Sequence, residues 1–208
     1  MGAICNTYNR PLEDDWRKQA LAASIQGNKI FFYDCSFISV QDTLFDCSGL
    51  HYFKNCYIEG AVDFIFGNGQ SIYEDCNINV TAWLYGAIPG YITAQKREWI
   101  TESTGFVFKS CNIYGSGPAY LGRAYGPYSR VVFYECQLSN IVVPEGWDAW
   151  NYKGQEYSIT YEEVDNYGPG SDTSMRVPWI NKLNANEVDQ LVSMSFIDAD
   201  SWLGGIPQ

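Results

Sequence analysis

The hydrophobic and polar positions of this chain recur in a frame. Two or more apolar or aromatic residues are followed by two spacer residues, a cysteine, any residue and then an apolar one. The copies are FFYDCSF around Cys35, YFKNCYI around Cys56, SIYEDCNI around Cys76, FVFKSCNI around Cys111 and VVFYECQL around Cys136. The intervals between the cysteines are 21, 20, 35 and 25 residues. Helical periodicity is weak, and short β-rich runs alternate with Gly, Asn and Asp turns. A repeat of this length denotes a solenoid, and β-rich units that stack in register predict an all-β, right-handed, single-stranded parallel β-helix. Equivalent residues then lie about 4.8 Å apart, one strand spacing. The five cysteines become a column of small side chains, better suited to packed thiols than to disulfides, whose geometry stacked parallel side chains rarely provide. Cys5 and Cys47 fall outside the frame.

The 35-residue interval contains an insertion, TAWLYGAIPGYITAQKREW. Solenoid insertions usually form loops on one face. Its Trp83, Tyr85, Tyr91 and Trp99 either line a cleft or cap a small core of the insertion itself. After Cys136 the repeat fades into one more irregular coil with loops. LNANEVDQL then predicts a short C-terminal helix, with Asn184 as N-cap and Glu187 three residues on. This tail is expected to pack across the side or end of the solenoid and shield strand edges. Residues 1–208 read as a single domain with no linker.

Composition narrows the function. The chain has 208 residues, 46% of them hydrophobic, and a net charge of −11. No Lys/Arg-rich run suggests nucleic acid, and no apolar stretch approaches the ~20 residues that span a bilayer. The N-terminus lacks the pattern of a secretory signal. No C-x-x-C occurs, so neither a zinc site nor another metal or cofactor is expected. The single histidine, His51, excludes most Ser-His-Asp chemistry and reads as a polar residue on a coil surface.

Polar segments interrupt the apolar frames at Gln19, at Gln41-Asp42 and at Asp63-Phe64. Gln19 to Gln41 is 22 residues and Asp42 to Asp63 is 21, each one coil of the cysteine repeat. The spacing alone places them on three successive coils, close together on one face. Two carboxylates that close share a proton near neutral pH, which suits an acid and a nucleophile working together. The plain alternative, two turn aspartates, does not explain their one-coil register.

The segments QDTLF, GAVDFIFG and YLGRAYG, together with ITAQKR, GWDAW and GPGSDTS, resemble the signature segments of plant pectin methylesterases. The likeness covers nearly the whole chain. It implies that Asp63 is the nucleophile and Asp42 the general acid and base. Gln41 and Gln19 would donate to the oxyanion, and Arg123 would pair with Asp63 and contact substrate. Phe64 and Tyr125 would offer ring faces to the sugar chain, with a core role as the alternative for Phe64, and Thr43 would help shape the site. The implied substrate is methyl-esterified homogalacturonan, the implied location the plant cell wall after secretion, and a further implied partner a proteinaceous inhibitor of such enzymes; a monomer is expected.

Two features depart from that pattern. Where the family usually has Arg-Pro-Trp, this chain reads Arg123-Ala124-Tyr125. The family's catalytic domain also normally has further coils and an N-terminal cap before the segment that opens this chain, so these are expected to be missing. A catalytically impaired pectin-binding or structural remnant is therefore the competing reading. A β-helix polysaccharide lyase is a weaker one, because such enzymes generally use a calcium-binding acidic cluster. Asn79-Val80-Thr81 is the one N-x-[ST] sequon, a glycosylation candidate on a coil surface.

Overall fold

The computed structural model describes residues 2–8, 18–86, 88–198 and 200–205, except for the Tyr85 side chain, which lies outside the described residues. The strands form three parallel sheets of six, and each coil of the chain contributes one strand to each sheet. This is the parallel β-helix expected from the repeat. In sheet 1 Ser36 pairs with Tyr57, Tyr57 with Asn77, Asn77 with Asn112 and Asn112 with Gln137, which reproduces the cysteine intervals as strand register.

The frame corresponds to the corner where sheet 3 (Ile30–Tyr33, Leu50–Lys54, Gln70–Glu74, Gly105–Lys109, Arg130–Tyr134 and Thr160–Val164) turns into sheet 1 (Gly2–Cys5, Cys35–Ile38, Tyr57–Gly60, Asn77–Val80, Asn112–Gly115 and Gln137–Leu138). The residue before each framed cysteine is left-handed: Asp34, Asn55, Asp75, Ser110 and Glu135 have φ between 51° and 56°. Asp and Asn tolerate that conformation better than most side chains, which accounts for much of the polar spacer. Three residues before each cysteine, an aromatic ring points inward. Phe32, Phe53, Tyr73, Phe108 and Phe133 stack at successive centroid distances of 5.1, 4.6, 4.7 and 4.5 Å. Each such pair contributes about 0.5–1.5 kcal/mol beyond simple burial.

The cysteines are free thiols. From the second coil on, each framed thiol donates to the carbonyl of the stacked aromatic one coil back, as in Cys76 to Phe53 at 3.5 Å and Cys111 to Tyr73 at 3.3 Å. In the final coil Asn166 replaces the cysteine, and its amide donates to Phe133 O at 3.0 Å. The column therefore continues where the sequence frame ends.

His51 overturns its sequence reading. It is fully buried inside the solenoid, with Nδ1 against Asp46 Oδ1 and Nε2 2.9 Å from Gly27 O. With Asp46 ionised both partners are acceptors, an arrangement that favours the doubly protonated ring. Burial opposes that charge, but Asp46 and the Gly27 carbonyl raise the imidazole above its ordinary range. Tyr73 closes the network by donating to Asp46 Oδ2 at 2.7 Å.

The tail forms the predicted helix and packs on the side of the solenoid, over a sheet face rather than over strand edges. Helix α1 (Ala185–Val192) begins at a capping box in which Asn184 accepts from the Glu187 N–H and Glu187 accepts from the Asn184 N–H. With α2 (Ser195–Asp198) it lies on the outer face of sheet 3, where Val188, Val192 and Ile197 bury Ile72, Val107 and Val132. The preceding loop is fastened by Arg176, whose guanidinium grips both oxygens of buried Glu163 at 2.8 and 3.1 Å. Among the described residues no helix is long and apolar enough to cross a membrane.

Candidate active site

The site lies on the outer face of sheet 2, whose strands are Ala23–Gln26, Leu44–Ser48, Val62–Gly67, Gly90–Gln95, Ala119–Ala124 and Trp147–Asp148. A backbone irregularity creates it. Val62 pairs with Tyr91 and Ile65 with Thr93, so Asp63 and Phe64 together oppose the single residue Ile92. This bulge re-aims a side chain, and Asp63 takes the left-handed conformation with φ 49°. The same step occurs one coil earlier. Gln41 bridges Val62 and Leu44 pairs with Ile65, which sets Asp42, φ 59°, beside Asp63.

The bulge also decides which neighbours face the cleft. Phe64 and Thr43 follow the two kinked aspartates and turn inward, and both are completely buried. Phe64 packs in the core, and the Thr43 hydroxyl donates to Glu59 O at 2.8 Å. Phe64 thus takes the core role that was the alternative to ring contact with the sugar, and Thr43 lies beneath the site without facing the cleft. Gly60 permits this packing, since a Cβ there would lie 2.2 Å from Phe64 Cβ and 2.8 Å from Thr43 Oγ1.

Gln19, Gln41, Asp42, Asp63, Arg123 and Tyr125 do converge, around a cleft of roughly 200 Å³. Phe66, Ala94 and Trp150 complete its lining. Arg123 donates to both oxygens of Asp63, from Nε to Oδ1 at 2.8 Å and from Nη2 to Oδ2. Its guanidinium carbon also lies 4.3 Å from the Tyr91 ring centroid and 3.9 Å from that of Trp150. Tyr91, one of the insertion's aromatics, is thus a support for the site. Trp83 and Trp99 are largely exposed.

The electrostatics separate the two acids. Burial pushes Asp42 up to about 7, helped by the Asp63 charge and opposed by Arg123 and the Gln19 and Gln41 amides. Burial also raises Asp63, against the pull of Arg123. Asp63 holds two charge-assisted hydrogen bonds, which favour its charged form, whereas burial and the neighbouring Asp63 charge favour the protonated form of Asp42. Among the described residues, no cluster of three or more His, Cys, Asp or Glu could hold a metal ion.

Sequence reasoning passed over Phe66, Ala94 and Trp150, of which Trp150 touches the aspartate pair's arginine. Trp150 stands in the irregular last coil, where the cysteine frame gives no register, and it adopts φ 48°. Its backbone N–H donates to Asp148 Oδ1 at 2.9 Å, which fixes the backbone from which the ring reaches Arg123. The GWDAW segment was the available signal.

The chain is thus a parallel β-helix protein with a paired-aspartate cleft on the outer face of one sheet. It belongs to the pectinesterase family, whose model matches residues 14–200. It is 47% identical over 209 residues to the Arabidopsis thaliana protein named "Probable pectinesterase 55", covering 98% of this chain and 63% of that protein. Among solved structures, it is similar to the pectin methylesterase from carrot, with 29% identity and a TM-score of 0.85 over 98% of this chain and 69% of that one. The pectin methylesterase from Aspergillus niger gives 31% identity and a TM-score of 0.80, over 98% of this chain and 64% of that one.

Proposed function

We propose that this chain hydrolyses methyl esters of homogalacturonan, releasing methanol and leaving a carboxylate on the sugar. The observation that carries this reading is the division of labour between the acids: Asp63 is clamped in its charged form by Arg123, while its neighbour Asp42 is pushed up to about 7. Family membership supplies the substrate class.

In this reading an oxygen of Asp63 attacks the ester carbonyl carbon. The carbonyl oxygen gains negative charge, which the Gln19 and Gln41 amides stabilise. The carbon–methoxy bond then breaks, and Asp42 gives its proton to the departing methoxide. An anhydride between Asp63 and the galacturonate remains. Asp42, now a carboxylate, takes a proton from water as that water attacks the anhydride. The hydroxyl adds to the galacturonate carbonyl, Asp63 leaves as a carboxylate, Asp42 is again protonated, and the released galacturonic acid gives its own proton to solvent. Trp150 and Tyr91 keep Arg123 in the plane that Asp63 needs, and Tyr125 and Trp150 offer faces to the sugar rings. Pectin is the proposed partner and the plant cell wall the proposed place of action.

Methanol release from highly esterified pectin by the purified chain tests the proposal. No release above the uncatalysed rate, from a protein that is folded by circular dichroism, would refute it.

A further inference from the structure

Trp147 and Asp148 form the last strand of sheet 2, in register with Gly122 and Arg123. Trp147 is buried, stacks on Tyr161 at 4.2 Å and donates from Nε1 to Glu163 Oε1 at 2.9 Å. Side chains alternate along a strand, so with Trp147 locked inside, Asp148 is turned to the outer face. It stands there beside Arg123, about one strand spacing away, 4.8 Å.

Asp148 divides its two oxygens between the two rings that hold Arg123. Oδ1 accepts the backbone N–H of Trp150 at 2.9 Å, and Oδ2 accepts the Tyr91 hydroxyl at 3.2 Å. The Arg123 guanidinium carbon lies 3.9 Å from the Trp150 ring centroid and 4.3 Å from that of Tyr91. The rings come from distant parts of the chain, and Asp148 is a partner that both share. Burial and the Asp148 charge push the Tyr91 phenol up to about 12, so it remains a donor near neutral pH. A carboxylate suits this position better than an amide, because two donors point at it and an amide has one acceptor oxygen. The contact to Lys153 is loose, at 3.9 Å with the lysine 75% exposed, and contributes little. Among the described residues the cleft lining includes Arg123 and Trp150 but not Asp148.

We propose that Asp148 is a positioning residue for the ester hydrolysis. By tethering Tyr91 and Trp150 at once, it sets the plane of the Arg123 guanidinium, and through that plane the orientation and charge of Asp63. The proposal rests on the esterase reading of the Asp42–Asp63 site.

Asp148→Ala removes both hydrogen bonds, Asp148→Asn keeps one acceptor, and Tyr91→Phe cuts the phenol link while keeping the ring. The readouts are methanol release from esterified pectin across pH, urea unfolding, and the Arg123 Nε–H resonance in proton–nitrogen correlation spectra. That resonance is assigned by its absence from Arg123→Lys, and ring currents of Tyr91 and Trp150 displace it. Asp148→Ala is expected to lower kcat/KM about tenfold, the scale of one hydrogen bond to a charged group, mainly through kcat. Asp63 then loses part of the aligned cation that favours its charge, so the acid limb of kcat/KM should move to higher pH. Tyr91→Phe should cost about threefold, and adding it to Asp148→Ala should cost nothing more, since both cut the same link. Asp148→Asn should fall between the parent and Asp148→Ala. The Arg123 resonance should move toward that of an exposed arginine in Asp148→Ala. An unmoved resonance in Asp148→Ala, or a loss of urea stability with kcat/KM and its acid limb unchanged, would overturn the proposal. A resonance that moves while neither parent nor variants release methanol would support the positioning role and overturn the esterase reading instead.

Discussion

The Arg123 guanidinium lies 3.9 Å from the centre of the Trp150 ring while its edge grips Asp63. The stack fixes the plane of the guanidinium, and the plane fixes both hydrogen bonds to Asp63. A partly desolvated cation–π contact contributes about 0.5–2 kcal/mol. Trp150→Ala should therefore lower kcat/KM about 3- to 30-fold, and Trp150→Phe should recover most of the loss. Steady-state methanol kinetics measure this. Equal rates for Trp150→Ala and the parent would show that Asp63 alone orients Arg123.

Asp63→Asn should abolish turnover, because an amide of nearly the same shape is a far poorer nucleophile. Asp42→Asn should be severe as well, since departing methoxide loses its proton donor. General acid–base loss alone typically costs about 10²–10⁴-fold. Circular dichroism should find both variants folded. Parent-like activity in either would remove that residue from its proposed role.

Asp42 also makes stability depend on pH. Its folded value of about 7 lies above the ordinary 3.8. Between those values the folded state holds a proton that the unfolded state has lost. The contribution is fully present below about pH 4 and is lost as pH rises through 7. Three units correspond to about 4 kcal/mol as an upper figure. Asp42→Asn removes the titration, so the variant should exceed the parent in urea-unfolding stability at pH 8 and lose that advantage at pH 4. A stability difference that is constant across this range would contradict the assignment. The first chemical step needs protonated Asp42, so activity should fall on the alkaline side with the apparent value of the pair.

Removing His51 leaves Asp46 buried beside Tyr73 without its cation. His51→Gln should cost about 3–5 kcal/mol, the usual penalty for breaking a buried pair from one side. The double variant with Asp46→Asn should recover part of it. The raised folded value of His51 adds stability below about pH 6.5, and that stability is lost as pH rises through the folded value. The parent's advantage over the double variant should thus be larger at pH 5.5 than at higher pH. Denaturant unfolding at several pH values checks this, and a pH-independent gap would mean that the buried ring is neutral.

Much of the fold was legible because one corner repeats. The left-handed residue, the cysteine and the inward aromatic recur together, so sequence spacing became strand register. The 21- and 22-residue intervals brought the two aspartates and two glutamines together for the same reason. Spacing fixes position along the stack but not which way a side chain points. Spacing could not decide between cleft and core for Phe64, or place Thr43 beneath the site, because the bulge at Asp63 and the kink at Asp42 turn the next residue inward. His51 was misread because its partner, Asp46, is five residues away and on a different sheet. Nothing local in the sequence marks that pair as internal.

The 35-residue interval contains one strand of sheet 2, Gly90–Gln95, flanked by longer connections on both sides. Its pairing with the neighbouring coils survives the extra length. The solenoid therefore behaves like a frame whose corners can be lengthened without moving its rungs. The connection after Gln95 borders the cleft, with Lys96 Nζ 5.2 Å from the ring centroid of Tyr125 in the cleft lining, and there an altered loop reshapes what the protein grips while Asp42 and Asp63 stay where the rungs hold them. Diversification of this scaffold should accordingly be recorded as insertions and deletions at the corners, with the chemical pair inherited unchanged.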